Sequence, residues 1–140
     1  MRKTRYQSHS LERLRAAGLR PTRQRLALSR LLFEGKDRHV TAEQLHAEAS
    51  GASVRVSLAT VYNTLHQFTA RGLLREIVVD AARSYFDTNT RDHHHFFFEG
   101  SGGIEDIPDE EIVFVKLPKP PAGKVINRVD VVVRIYDESP

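Results

Sequence analysis

The stretch from residue 57 to residue 71 restricts the fold of this chain most, because its pattern belongs to one kind of element. Apolar residues recur there at intervals of three and four positions: Leu58, Val61, Leu65 and Phe68. This spacing predicts a helix with one buried face. The opposite face would carry small and polar side chains and no carboxylate: Ala59, Thr60, Tyr62, Asn63, His66 and Gln67. Such a face fits a DNA groove, where these side chains reach base edges or phosphates, although an ordinary surface helix would also satisfy the pattern.

Charge divides sharply between the two halves of the chain. Residues 1–75 contain 14 Lys or Arg and five Asp or Glu, a net charge of +9, whereas residues 76–140 carry a net charge of −6. A surface that served only solubility would not separate the two signs. Basic side chains release the counterions held by phosphates, so this asymmetry is typical of a chain whose basic half binds nucleic acid. It favours a DNA-recognition role for the helix at residues 57–71.

The residue content excludes several other classes of protein. The chain has no cysteine, which rules out disulfides, thiolate zinc sites and cysteine nucleophiles, and which fits a cytoplasmic location. No apolar run approaches the length of a membrane span, and residues 1–7 lack the apolar core of a secretory signal. We therefore expect a cytoplasmic protein without a membrane partner.

Three further helices are predicted before residue 57. The first covers about residues 8–17, and a glycine stands at the end of each of the three: Gly18, Gly35 and Gly51. The second follows Thr22, and the third follows Thr41, whose spacing to Gln44 has the form of a capping box. A helix, a turn and a second helix in a basic domain place the later helix in the major groove of DNA.

The pattern changes after Gly72 from helical to strand-like. Residues 74–79 and 83–86 are rich in β-branched and aromatic residues around a short turn, so they predict a hairpin, and helices followed by a hairpin form a winged helix. Further strands are expected at residues 95–98, 112–117 and 129–136. The sequence thus predicts an α+β chain with an N-terminal winged-helix DNA-binding domain at 1–87, a hinge at 88–92, and a small C-terminal β-rich dimerisation and ligand-sensing domain at 93–140. So few strands would make a weak monomer, whereas a homodimer or higher oligomer would extend the sheet and match a palindromic operator.

Three adjacent histidines at positions 93–95 indicate a ligand site. Alternate residues of extended backbone share a side, so His93 and His95 would point the same way. Neutral imidazoles there could bind a divalent metal or the iron of a haem. Either Asp87 upstream or Asp106 downstream could complete a nitrogen and oxygen set suited to iron, manganese or zinc. A solvated linker that happens to be rich in histidine is the alternative.

With these residues in view, the chain resembles the ferric uptake regulator family over most of its length. Four stretches carry the likeness: residues 18–25 (GLRPTRQR), 39–45 (HVTAEQL), 58–62 (LATVY) and 83–87 (RSYFD) with the histidines after it. They resemble, in order, the entry to the family's second helix, the opening of its third, its recognition-helix signature and its hinge. The resemblance implies a homodimeric, metal-responsive transcription factor, not an enzyme, that binds double-stranded DNA through a winged helix.

The resemblance also implies which residues would contact DNA and metal. The DNA-binding set is Arg20, Arg23, Arg25, Ala59, Thr60, Tyr62 and Asn63. Within it, Arg20 would enter the minor groove at A·T-rich steps, and Tyr62 and Asn63 would face bases or phosphates. The regulatory metal site would fall on His39, Asp87, His93, His95 and Asp106, the last assigned less directly because it lies past a loop.

Two departures from the family narrow this expectation. Residues 98–103 read FEGSGG where members commonly hold a structural zinc by paired Cys-x-x-Cys motifs, so no cysteine-type structural zinc is expected. The usual helix of the dimerisation domain is also hard to find. The histidine triplet and the cysteine-free sheet are most similar to the iron response regulator branch of rhizobia and their relatives.

Membership of that branch would imply haem as a regulatory cofactor. Haem would be held by His93, His94 and His95, and the phenylalanines at 96–98 would be plain core or an apolar wall beside it. The regulator would bind A·T-rich palindromic operators under iron limitation and be released or inactivated by haem. The alternative is an iron- or manganese-activated repressor that uses the same hinge site. A metal-dependent hydrolase is a more distant alternative, because the chain shows no nucleophile or general base and its basic half would be unexplained.

Overall fold

The computed structural model describes residues 2–139, with residues 2–8 described by their backbone alone. The elements are α1 (Arg2–Ala16), α2 (Arg23–Phe33), β1 (His39–Val40), α3 (Ala42–Gly51), α4 (Leu58–Ala70), β2 (Arg75–Asp80), β3 (Arg83–Asp87), β4 (His94–Phe98), β5 (Ile104–Ile107), a 3₁₀ turn (Asp109–Glu111) and β6 (Val132–Ile135). They form two compact units, the N-terminal unit (Met1–Thr90) and the C-terminal unit (Arg91–Pro140). Among the described helices, none combines the length and apolar character that crossing a membrane would need.

Three of the four helices end in the same motif, in which a residue of left-handed conformation follows the cap and the N–H of the next residue bonds back to the helix. Gly18, Ser53 and Gly72 take this position with φ of +74°, +60° and +78°. The residue after each one donates its N–H back over the last turn, as Leu19 to Leu14, Val54 to Ala49 and Leu73 to Phe68. This pattern satisfies carbonyls that the helix end would leave free. The predicted end of the first helix at Gly18 is confirmed, although the helix starts earlier, at Arg2 rather than near residue 8.

The core of the N-terminal unit is built from the apolar positions that the helical spacing predicted. Val61, Leu65 and Phe68 of α4 are fully buried and belong to one cluster with residues of the other helices and strands, which include Leu14, Leu28, Leu32, Leu45 and Phe86. Thr41 and Gln44 form the predicted capping box, since the Thr41 hydroxyl accepts from the Gln44 N–H and the Gln44 amide oxygen accepts from the Thr41 N–H. Local caps and buried stripes together define where each helix lies along the chain.

The predicted hairpin is confirmed as β2 and β3, and a further strand joins it. The sheet order is β1-β3-β2, with β3 antiparallel to both neighbours. Strand β1 has only two residues and was not predicted from the sequence. Its register pairs His39 with Asp87 and Val40 with Phe86.

The C-terminal unit contains a second sheet in the order β5-β4-β6. Strand β4 is antiparallel to β5 and parallel to β6. The strand predicted at 112–117 was wrong, since no residue from 112 to 131 is in a strand. Val115, within that stretch, is 99% exposed. The prolines that follow it at 118, 120 and 121 lack the N–H that a ladder requires, so no strand continues beyond it. The strand predicted at 129–136 is shorter, at Val132–Ile135, and β5 was not predicted.

Candidate functional site

The start of α4 is held by its cap. Ser57 Oγ accepts a hydrogen bond from the backbone N–H of Thr60 at 3.1 Å and donates one to Thr60 Oγ1 at 2.9 Å. Since Val61, Leu65 and Phe68 are buried, the opposite face of α4, which is the predicted DNA-binding face, is turned outward. Thr60 on this face is half-buried. The other residues of the face are exposed: Ala59, Tyr62, Asn63, His66 and Gln67. The face required by the DNA-binding hypothesis is therefore accessible within the N-terminal unit.

The three arginines of the predicted DNA-binding set differ in their surroundings. Arg20 and Arg23 are exposed, whereas Arg25 is half-buried. The Arg25 guanidinium donates to the backbone carbonyl of Arg20 at 2.8 Å and to Gln67 Oε1 at 2.9 Å. Arg25 therefore links the turn before α2 to the exposed face of α4. No sequence pattern indicated this link, because it joins residues 42 positions apart.

Tyr62, on the exposed face of α4, is hydrogen-bonded to the neighbouring helix. Its hydroxyl donates to Glu43 Oε1 at 2.6 Å, and its ring stacks on that of His66 with centroids 6.4 Å apart. The hydrogen bond lowers the pKa of the Glu43 carboxyl and raises the pKa of the Tyr62 hydroxyl from their ordinary values. Glu43 is thus a carboxylate and Tyr62 a neutral phenol at neutral pH. No sequence pattern paired Glu43 with Tyr62, which lie 19 positions apart.

The tip of the hairpin is also organised by side chains. Asp80 Oδ1 accepts from the Ala82 N–H at 2.9 Å, and Asp80 Oδ2 accepts from the Arg83 guanidinium at 2.7 Å and 3.1 Å. The Arg83 guanidinium, aided by the Ala82 N–H, holds the pKa of Asp80 below its ordinary value. These contacts fix the turn that the sequence placed between the two strands.

Two predicted metal ligands meet in the N-terminal unit. His39 Nε2 lies 3.0 Å from Asp87 Oδ2, and the Asp87 side chain is 1% exposed. The backbone N–H of Asn89 donates to Asp87 Oδ1 at 2.9 Å. His39 lies between α2 and α3, and the short strand β1 brings it opposite Asp87. A buried carboxylate is destabilising unless it is paired. The Asp87 carboxylate beside His39 is therefore suited to bind a proton or a cation.

The other three predicted metal ligands meet in the C-terminal unit. His93 Nε2 and His95 Nε2 each lie 3.2 Å from Asp106 Oδ1, and the two rings are 4.4 Å apart between centroids. His93 Nδ1 contacts the carbonyl of Arg91, which can only accept, so Nδ1 is the donor. In the neutral tautomer His93 Nε2 then turns a lone pair toward a carboxylate, which is favourable only with a proton or a metal between them. The donor set fits a divalent metal.

His94 is separated from its two neighbours. Its Nδ1 accepts a hydrogen bond from the Val131 N–H at 3.1 Å, and its ring lies edge-on to Phe114 at 5.4 Å. His93 and His95 share one side of the chain as predicted, so the three predicted haem ligands are not presented together. Of the phenylalanines that follow, Phe97 is fully buried as core.

Comparison with known proteins identifies the family. The family described as "Ferric uptake regulator family" matches residues 16–121. The peroxide-responsive repressor PerR of Staphylococcus epidermidis is 37% identical over 98 residues, covering 70% of this chain and 65% of the relative. That of Staphylococcus aureus strain Mu50 is also 37% identical over 98 residues, covering 70% and 66%. The chain thus spans just under two thirds of the length of these relatives.

Solved structures agree with this match in fold. The ferric uptake regulator of Pseudomonas aeruginosa, solved with manganese, superposes with a TM-score of 0.70 and 26% identity, over 93% of this chain and 98% of that one. That of Vibrio cholerae superposes with a TM-score of 0.71 and 22% identity, over 91% and 98%. The α+β fold of this chain, with a mainly helical N-terminal part and a β-rich C-terminal part, is therefore shared with these ferric uptake regulators. The chain belongs to the ferric uptake regulator family.

Proposed function

We propose that the chain is a dimeric transcription regulator, and not an enzyme, that binds double-stranded DNA in the cytoplasm under the control of a divalent metal. The observation that carries the proposal is the exposed, carboxylate-free face of α4, which stands in a half of the chain with a net charge of +9, from 14 Lys or Arg and five Asp or Glu. The family to which the chain belongs consists of transcription regulators, and the similar staphylococcal proteins are named repressors. Arg20, Arg23, Ala59, Thr60, Tyr62 and Asn63 would contact DNA. Arg25 would act by holding Gln67 and the Arg20 turn.

The operator is proposed to be an A·T-rich palindrome bound by two copies. Two-fold related recognition helices would read two half-sites, and Arg20 would enter a minor groove narrowed by A·T steps. Exposed apolar residues of the C-terminal unit support a homodimer through that unit: Val113, Phe114, Val115, Leu117, Val125 and Ile126. Burial of such a patch is a usual reason for association.

The regulatory metal is proposed to be iron or manganese, with zinc as a further candidate. Two groups of residues are proposed as ligands: His39 with Asp87 in the N-terminal unit, and His93 and His95 with Asp106 in the C-terminal unit. Imidazole and carboxylate donors suit these metals, and each ligand group holds an imidazole nitrogen against a carboxylate oxygen. A metal can shift the regulator between states only by binding one of them more tightly.

The second form of the proposal follows from the iron response regulator hypothesis: haem, and not a divalent metal, would release the regulator from DNA. A cleft of ≈ 420 Å³ beside His94 favours it, because apolar residues form much of its lining: Ile112, Phe114, Leu117, Ile126 and Val129. Asp92, Asp109 and Arg128 also line this cleft. The hydrogen-bonding state of His94 opposes it, since His94 Nδ1 accepts from Val131 and the proton of the neutral ring then sits on Nε2. The donor chemistry therefore supports the metal-activated form better.

The two forms are separated by adding each ligand to the metal-stripped full chain. Sites selected from a random duplex library would be labelled, and their affinity measured by fluorescence anisotropy with Mn²⁺, Fe²⁺ or haem. The metal form predicts tighter binding with Mn²⁺ or Fe²⁺, and loss of that response in His93→Ala/His95→Ala. His94→Ala is the matched control, since it removes a neighbouring imidazole on the other side of the strand. Loss of operator binding on adding haem, abolished by His94→Ala, would instead support the haem form. Failure to enrich any sequence would overturn the proposed function.

A further inference from the structure

Glu43 contacts the exposed face of α4 from outside that helix. It lies in the first turn of α3, two residues after the cap Thr41, and accepts the hydroxyl proton of Tyr62 at 2.6 Å. Tyr62 is 37% exposed and forms part of the face proposed to meet DNA. The carboxylate-free face of α4 thus has one carboxylate brought to it by a neighbouring helix.

We propose that Glu43 is a specificity-determining residue, which directs Tyr62 to base edges by withholding its hydroxyl proton from phosphates. The inference rests on the proposed function, and it selects between the two DNA contacts that the sequence left open for Tyr62. It assigns the selection to Glu43, a residue outside the predicted DNA-binding set.

The hydrogen-bonding capacity of a phenol supports this assignment. A tyrosine hydroxyl has one proton to donate and retains the capacity to accept. Phosphate oxygens only accept, so a phosphate contact by Tyr62 needs the hydroxyl proton that Tyr62 already donates to Glu43. Bonds to a carboxylate are short and stronger than those between neutral groups, and this one is 2.6 Å. The directions of the Glu43 and Tyr62 pKa shifts agree with a proton that stays on Tyr62 and points to Glu43.

The contacts that Tyr62 can still make, through its hydroxyl oxygen and its ring, match base edges. Its oxygen can still accept from the amino group of cytosine or adenine, and its ring can pack on a thymine methyl in the major groove. Stacking on His66 restricts the ring further, with an interplanar angle of 18°. The negative charge of Glu43 also disfavours close approach of a phosphate at this point. Each of these effects shifts Tyr62 from phosphate to base.

The alternative is that the bond only fastens α3 to α4. The two explanations differ in their effect on DNA selectivity, which fastening alone would not change. Glu34 supplies the matched control, because it is an exposed glutamate just after α2 whose cap contact uses its backbone N–H. Glu34→Ala therefore removes the same charge without freeing a tyrosine hydroxyl.

The test measures the affinity of each full-length variant for the selected duplex and for a scrambled duplex at one salt concentration. We expect Glu43→Ala to raise affinity for the scrambled duplex by about fivefold more than for the selected one, which is the worth of one freed hydrogen bond. Glu34→Ala should raise both affinities equally. Glu43→Gln should stay close to wild type in selectivity, since its amide oxygen still accepts the Tyr62 proton. Circular dichroism melts would verify that each variant is folded.

A double substitution isolates the hydroxyl. In a Tyr62→Phe background there is no proton to release, so Glu43→Ala should then behave like Glu34→Ala. An unchanged selectivity ratio in Glu43→Ala, or the same loss of selectivity with and without the hydroxyl, would overturn the role of Glu43 while leaving the proposed function intact. If the wild-type chain enriched no sequence and bound no duplex, the proposed function and this inference would both be overturned.

Discussion

The two units of the chain differ in how they use their apolar residues. In the N-terminal unit, Val61, Leu65 and Phe68 are fully buried among residues of several helices and strands. Among the described residues of the C-terminal unit, the buried apolar side chains are Phe97 and Ile107. Other apolar residues of that unit, such as Val113 and Val115, are 78% and 99% exposed.

This difference separates a unit that completes its own core from one that does not. Burial of apolar surface is the main favourable contribution to folding, so a core with few buried residues gives little stability by itself. An exposed apolar segment of this size is typical of an association surface. The N-terminal unit is therefore expected to respond to core substitutions, and the C-terminal unit to substitutions on its surface.

The largest expected effect is on the stability of the N-terminal unit. Phe68→Ala removes a fully buried ring from α4 and should lower the free energy of unfolding by about 3–5 kcal/mol. Val115→Ala, at an exposed position, should change the stability of the same chain by less than about 0.5 kcal/mol in a dilute sample. Urea unfolding followed by circular dichroism measures both. Equal losses would show that the two units do not differ in this way.

A second effect concerns association. Val113→Asp with Val115→Asp places two charges on the exposed segment and should weaken self-association at least tenfold, or about 1.4 kcal/mol. Val78→Asp is the control, because Val78 is 60% exposed on the hairpin of the N-terminal unit. Sedimentation equilibrium would measure association for each. A shift of equal size in the control would remove the reason for placing the interface on the C-terminal unit.

A smaller effect sharpens the comparison within the N-terminal unit itself. Ser53 holds φ of +60° at the end of α3, where Gly18 serves the same position after α1. Ser53→Gly should stabilise the chain by about 0.5–1 kcal/mol, because glycine adopts this conformation without the strain of a Cβ. Gly18→Ala should destabilise it by a similar amount. Thermal melts would measure the stability of both variants. A lower stability of Ser53→Gly than of wild type would show that the backbone of Ser53 is not strained.

The smallest effect is a pH dependence at the hairpin tip. Arg83 holds the pKa of Asp80 below its ordinary value of 3.8, so the carboxylate adds stability above that pH. That stability is lost as pH falls through the lowered pKa of the folded state. Asp80→Asn keeps an acceptor for the Ala82 N–H and removes the charge. Its urea midpoint should lie below that of wild type at pH 7 and approach it below pH 3.8. If the difference in urea midpoint persisted below pH 3.8, the effect would come from the turn and not from the charge of Asp80.

Local features of the chain were predictable because neighbouring residues determine them. The spacing of Leu58, Val61, Leu65 and Phe68 predicted the buried face of α4, and the Thr41 and Gln44 pair predicted a capping box. The period of a strand also placed His93 and His95 on one side. In contrast, the β-rich run at 112–117 forms no strand, since a strand needs a partner that its own residues do not specify.

The sequence by itself determined the helical order, the caps, the division of charge and the absence of cysteine. Only the tertiary structure decided that His39 pairs with Asp87, that Arg25 holds Gln67, and that Glu43 accepts a hydrogen bond from Tyr62. The first group depends on residues a few positions apart, within one turn or one strand. The contacts of the second group join residues 19 to 48 positions apart in the sequence. Such contacts exist only when the whole unit packs and brings those side chains within hydrogen-bonding distance.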